Sequence, residues 1–244
     1  MTPRVAVISF DVEQDCPPYL DSARGVEEGL PRILELLAEE RVRATFFFTA
    51  EMARRFPRLA RRVVDEGHEL GSHGYRHERL DRLPRSEAAR VLERSTSILR
   101  GYGEVKVFRA PNLKLPENLL PVLAKLGYRV DSSTARYKPP FPRRVEKHGP
   151  LVRVPVSVTS SVLRLPWRLQ RPLHGALAPP RVYFSHPWEY VDMSREPVRL
   201  DCRFNTGEPA LELLRRLIRF LRGEGYMLAT LCEAVRMLGH DVEC

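Results

Sequence analysis

The chain has 244 residues, 43% of them hydrophobic and 29% charged, the balance of a globular protein with a sizeable core. Forty Lys and Arg against 31 Asp and Glu leave a net charge of +9. No stretch approaches the roughly 20 apolar residues of a membrane span, so fibrous, membrane-embedded and disordered chains are excluded. In chain order, residues 5–10 (VAVISF) form a β-branched and aromatic run that predicts a buried strand. Residues 25–40 place Leu30, Ile33, Leu34 and Leu37 at helical spacing. Residues 44–49 (ATFFFT) predict a second strand, 51–66 an amphipathic helix, and 68–72 a brief third strand. A helix over 84–100 would turn Ala88, Val91, Leu92, Ser95 and Leu99 inward. Strands then follow at 105–108, 128–130, 151–158, 181–185 and 227–231, with helices at 116–126 and 209–221. Continuous apolar strands alternating with helices predict parallel βα units in one domain covering residues 1–244. The exception is a proline-rich stretch at about 135–180. We expect irregular structure there, around one or two strands, covering part of a substrate groove.

The basic excess is dispersed. Arg54, Arg55, Arg58, Arg61 and Arg62 share a segment with Phe56, Leu59, Val63 and Val64, the pattern of one helix with a solvated face. No nucleic-acid partner is expected, whereas peripheral contact with a lipid surface would suit the charge. Cys16, Cys202, Cys232 and Cys244 form no CxxC pair and read as thiols in a reducing compartment. Asp11 interrupts the N-terminal apolar run, so no secretory signal is expected and the location is expected to be cytoplasmic.

Chemically capable residues recur where strands should stop. The first strand runs into Asp11-Val12-Glu13-Gln14-Asp15 and the third into Gly71-Ser72-His73-Gly74-Tyr75-Arg76-His77. Later strand ends carry Arg109-Ala110-Pro111-Asn112, Asp131-Ser132-Ser133 and His186-Pro187-Trp188-Glu189. In α/β barrels and open parallel sheets the C-terminal strand ends share one face, where active sites lie. His73 and His77, four apart, suit one cation, and a carboxylate would complete the donor set. Side chains alternate along a strand, so Asp11 and Glu13 face one side and Val12 the other. The carboxylates on that side are therefore the candidates for the third ligand. Asp15, two residues on and next to Cys16-Pro17-Pro18, is the fallback.

The run RATFFFTAEMARRFPRLARRVVDEGHELGSHGYRHERL, with FDVE before it and FRAPN, GYRVDSS and SHPWEY after it, resembles the polysaccharide deacetylases of the NodB-homology type, carbohydrate esterase family 4. The resemblance spans residues 5 to about 190 and is closest to the branch whose first motif reads FDVE. It implies a distorted (β/α)7 TIM-like barrel and a metal-dependent hydrolase that removes N-acetyl groups from an amino sugar in a polysaccharide, oligosaccharide or glycolipid precursor. By the same resemblance Asp11 is the general base, Arg109 holds it, and Asp131 orients Arg109. The backbone N–H of Asn112 helps form the oxyanion site, His186 is the general acid, and Glu13, His73 and His77 bind the metal. The common family pattern has a second Asp where this chain has Val12. Zinc is the expected cation, with cobalt, nickel and manganese also suited to two imidazoles and a carboxylate. The alternatives are an allantoinase-like amidase acting on a small cyclic amide and a non-catalytic sugar-binding relative.

Overall fold

A computed structural model of the chain describes residues 3–139, 141 and 144–243. Strand β1 (Val5–Val12) is buried at every position because both its faces are covered. Ala6, Ile8, Phe10 and Val12 face a core shared with α1 (Leu30–Glu40), while Val5 and Val7 face a second, valine-rich core. The chain continues through β2 (Thr45–Phe48), α2 (Ala50–Arg55), α3 (Pro57–Asp65), β3 (Glu69–Ser72) and α4 (Arg85–Leu99). Next come β4 (Val107–Phe108), α5 (Leu120–Lys125), β5 (Val130–Asp131), β6 (Glu146–His148) and β7 (Leu151–Arg153). The last elements are α6 (Trp167–Ala176), β8 (Arg181–Ser185), α7 (Leu200–Arg203), α8 (Glu208–Gly223), β9 (Met227–Leu228) and α9 (Leu231–Met237).

The sheet runs β6-β7-β5-β4-β3-β2-β1-β8, with β9 added to the start of β1. All pairings are parallel except β6 with β7. It curls into an incomplete barrel with helices outside, the expected (β/α) barrel architecture. Phe10 and Phe46 stack between sheet and helices with ring centroids 4.9 Å apart. Burying each such side chain contributes roughly 1.5–3 kcal/mol.

Several elements differ from expectation: α7 and α9 lie where no helix is expected, and the strand expected over 151–158 ends at Arg153. The helix expected over 51–66 is two, because Pro57 drives Phe56 out of helical geometry (φ −124°, ψ 60°). The proline-rich stretch supplies the expected strands β6 and β7 but also a ten-residue helix, α6, with Pro172 inside it. Proline removes one backbone hydrogen bond there. The helix persists because Trp167 packs against the main core and its buried Gln170 donates to the carbonyls of Leu163 and Leu165. No helix among the described residues is long and apolar enough to cross a membrane.

Candidate active site

Strand alternation sorts the end of β1. Phe10 and Val12 enter the core behind the sheet, whereas Ser9, Asp11 and Glu13 face the barrel interior. Glu13 lies at the centre of the site. Its Oε2 is 3.1 Å from His73 Nε2 and 3.0 Å from His77 Nε2, and its Oε1 is 3.7 Å from His186 Nε2. Burial alone would raise the Glu13 pKa, but the surrounding imidazoles hold it well below the carboxylate range. The same contact raises the His77 pKa against the opposing pull of burial. Asp15 stands apart. Its carboxylate accepts from the N–H of Arg24 and of Gly25 (2.8 Å each) and from Ser22 Oγ (2.7 Å), so it ties down the segment leading into α1.

His73 reaches the site from the end of β3, and its Nδ1 lies 2.8 Å from the Arg109 carbonyl. A carbonyl only accepts, so Nδ1 carries the proton, and in a neutral ring Nε2 then turns its lone pair toward Glu13. Two imidazole nitrogens around one carboxylate oxygen need a proton or a cation between them. The ligand atoms of Glu13, His73 and His77 all lie within 4.8 Å of one another, a group that could hold a metal ion. Neutral imidazoles and a carboxylate fit a divalent transition metal, and the carbonyl contact of His73 is the kind of outer contact that aims a ligating ring.

Arg109 is fully buried in the barrel interior. Its Nη1 donates to Asp11 Oδ1 (2.7 Å) and Ser9 Oγ (3.0 Å), and its Nη2 donates to Ser132 Oγ (3.1 Å). The guanidinium lies 4.2 Å from the Phe47 ring centroid, opposite Asp11 in the β1–β2 register. Asp131 makes no hydrogen bond or ion pair with the Arg109 guanidinium. In register with Phe108 on β4, it faces away from the interior that holds the guanidinium. Its carboxylate pairs instead with Arg153 Nε (2.9 Å) and accepts from Ser133. Ser132, one residue on, fills the role expected of Asp131. Asn112 lines the pocket with a left-handed backbone (φ 59°).

His186 forms the opposite wall, in the loop after β8. Gly25 and Gly29 let this loop approach closely, since a Cβ on Gly25 would sit 2.3 Å from the Trp188 nitrogen and one on Gly29 2.2 Å from the Pro187 oxygen. The His186 ring stacks on Trp188 (5.1 Å, 15°) and its Nδ1 lies 2.8 Å from Glu189 Oε1. Burial would lower its pKa, but Glu189, Glu13 and Asp11 raise it to about 9. Glu189 in turn meets Arg164 Nε at 2.5 Å, and Arg164 also donates to the carbonyls of Asp201 and Phe204. Sequence reasoning missed Glu189 and Arg164. A signal existed for Glu189, three residues after His186 at the start of a helical turn, the spacing of a reciprocal cap. The walls enclose a pocket of about 360 Å³.

Residues 1–130 match the family described as polysaccharide deacetylase. The chain belongs to that family. This deacetylase-family chain is 35% identical over 96 residues to a peptidoglycan-N-acetylglucosamine deacetylase of Bacillus cereus, a match covering 38% of this chain and 34% of the relative. It spans about a third to a half of the length of the curated relatives it matches. Among solved structures, a peptidoglycan N-acetylglucosamine deacetylase superposes with TM-score 0.67 at 20% identity, covering 99% of this chain and 91% of that one. A family 4 pseudoenzyme from Bacillus anthracis superposes with TM-score 0.64 at 18% identity, covering 96% and 66%. At these identities the structures establish the shared fold.

Proposed function

We propose that the protein is a metal-dependent hydrolase that removes the N-acetyl group of an amino sugar. The observation that carries this reading is the convergence of Glu13, His73 and His77 between an arginine-held carboxylate, Asp11, and a cationic imidazole, His186. Glu13, His73 and His77 would hold the cation, for which we propose zinc. The cation would polarise the acetyl carbonyl and acidify water. Asp11 takes the proton from the attacking water; the bond from Arg109 Nη1 fixes the direction of its carboxylate, and Ser9 and Phe47 hold the guanidinium in place. The backbone N–H of Asn112 is assigned to the carbonyl oxygen, where negative charge develops. His186 delivers the proton that lets the amine nitrogen leave, since an amine anion is too poor a leaving group to depart unprotonated. Amide and water become free amine and acetate, with no redox step.

The departure at Val12 supports this reading, because the carboxylate it lacks is present one residue later on the inward face. The test is acetate release from N-acetylglucosamine oligomers, followed by a coupled assay on chelated protein and on protein reloaded with zinc. Release should track bound metal. Zinc-loaded protein that binds the oligomers without releasing acetate would place the chain with the non-catalytic relatives.

A further inference from the structure

The same pocket contains two thiols that the deacetylation chemistry does not use. Cys16 lies three residues past Glu13, has a left-handed backbone (φ 44°), and packs with Trp188, Val191, Met193 and Val198. Cys202 sits half-buried on α7 and packs against the same group. Both are free, both line the pocket, and both pack in the same cluster against Trp188. Cys232 differs: it is disulfide-bonded, where composition pointed to thiols throughout, and Cys244 lies outside the described residues.

The two thiols are unequal. The neighbouring Cys202 and burial push the Cys16 thiol up, while Cys16, against burial and Asp201, pulls Cys202 down. Cys202 is also the more exposed of the two. A disulfide arriving from solvent therefore meets Cys202 first, and access is one of the conditions that mark the attacking sulfur in disulfide exchange.

We propose that Cys16 and Cys202 are a covalent modification site for low-molecular-weight disulfides, closing into an intramolecular disulfide in the wall of the pocket. The Cys202 thiolate attacks one sulfur of the disulfide RSSR, forming Cys202–S–S–R and expelling RS⁻. Cys16 then attacks the Cys202 sulfur and expels the second RS⁻. The two cysteine protons end on two RSH, the cysteines lose two electrons and RSSR gains them.

The product joins the two halves of the site. Cys16 belongs to the segment carrying Glu13, while the α7 residue beside Cys202, Asp201, holds Arg164 through its carbonyl, and Arg164 holds the Glu189 that aims His186. An S–S bond of about 2.05 Å draws these walls closer than packing holds them. Shifts on the order of 1 Å at a reacting centre cost about 100-fold, so turnover should fall at least 10-fold.

Treating the full chain with glutathione disulfide, alkylating residual thiols and mapping peptides should yield a linked Cys16–Cys202 pair, reversed by dithiothreitol. The Cys16→Ser protein should stop at a glutathione adduct on Cys202, and the turnover of Cys202→Ser should not respond to the oxidant. Both thiols remaining alkylatable at equilibrium, or linkage with turnover unchanged, would overturn the proposal. Peptide mapping needs no activity. If the reduced protein releases no acetate, the deacetylase reading fails while the covalent site is still decided.

Discussion

The two walls of the pocket are built differently. The wall bearing Asp11, Glu13, His73 and Arg109 is made of adjacent parallel strand ends, whose ladder sets each side chain's direction. The wall bearing His186 is a loop, positioned by a chain of charged side chains from Glu189 through Arg164 to the carbonyls of Asp201 and Phe204. On the strand wall, a substitution removes one chemical function and leaves its neighbours in place. On the loop wall, a change three residues from the imidazole should alter the imidazole itself.

Asp11→Asn should sharpen this contrast most. Turnover is expected to fall by about 10²–10⁴-fold, with metal content per chain unchanged. Elemental analysis showing that the variant has lost its metal would make Asp11 a ligand and reverse the roles of Asp11 and Glu13. Next, Glu13→Gln should weaken metal affinity by roughly 10-fold or more, read by competition with a chromogenic chelator. Asp15→Asn should leave that affinity intact and lower the melting temperature, because the amide keeps one acceptor oxygen and its nitrogen cannot accept the second of the N–H bonds from Arg24 and Gly25, at a cost of about 1–3 kcal/mol. Equal loss of metal in both variants would break the assignment.

On the loop wall, Glu189→Gln should move a pH limb and leave metal content unchanged. His186 works protonated and its pKa is raised to about 9, so activity is present below that value and lost as pH rises through it. Removing the neighbouring charge should shift the alkaline limb of kcat/KM downward by about 1 unit or more. A limb that stays in place would dissociate Glu189 from the acid. Asp131→Asn should have the smallest effect on chemistry. Leaving Arg153 buried without its partner costs about 3–5 kcal/mol in stability, visible in urea unfolding. Turnover at a temperature where the variant is folded should change less than threefold, and a loss comparable to that of Asp11→Asn would restore Asp131 to the role of orienting Arg109.

The strand wall was legible in the sequence for a physical reason. Period-two alternation along β1 is local, so Val12 had to point away from Asp11 and Glu13 whatever the rest of the chain did. The HxxxH pair and the convergence of strand ends follow equally from short-range pattern and parallel topology. Asp131 was misplaced by neglect of that same rule. Its parity matches Phe108, which lies in the outer core, and Ser132 is the residue that faces inward.

What the sequence by itself determined was therefore the alternation of strands and helices through β5, the covered strands and the face of β1 on which the functional carboxylates lie. Only the tertiary structure decided the partners separated by dozens of residues: Arg164 with Glu189, Arg153 with Asp131, Cys16 with Cys202. Arg153 meets Asp131 through the β5–β7 register, and the other two pairs depend on how α7 and the segment before α6 pack against the loop after β8 and the end of β1. No periodicity encodes that path, because it is set by packing against Trp188 and the glycine-lined approach of residues 25–29.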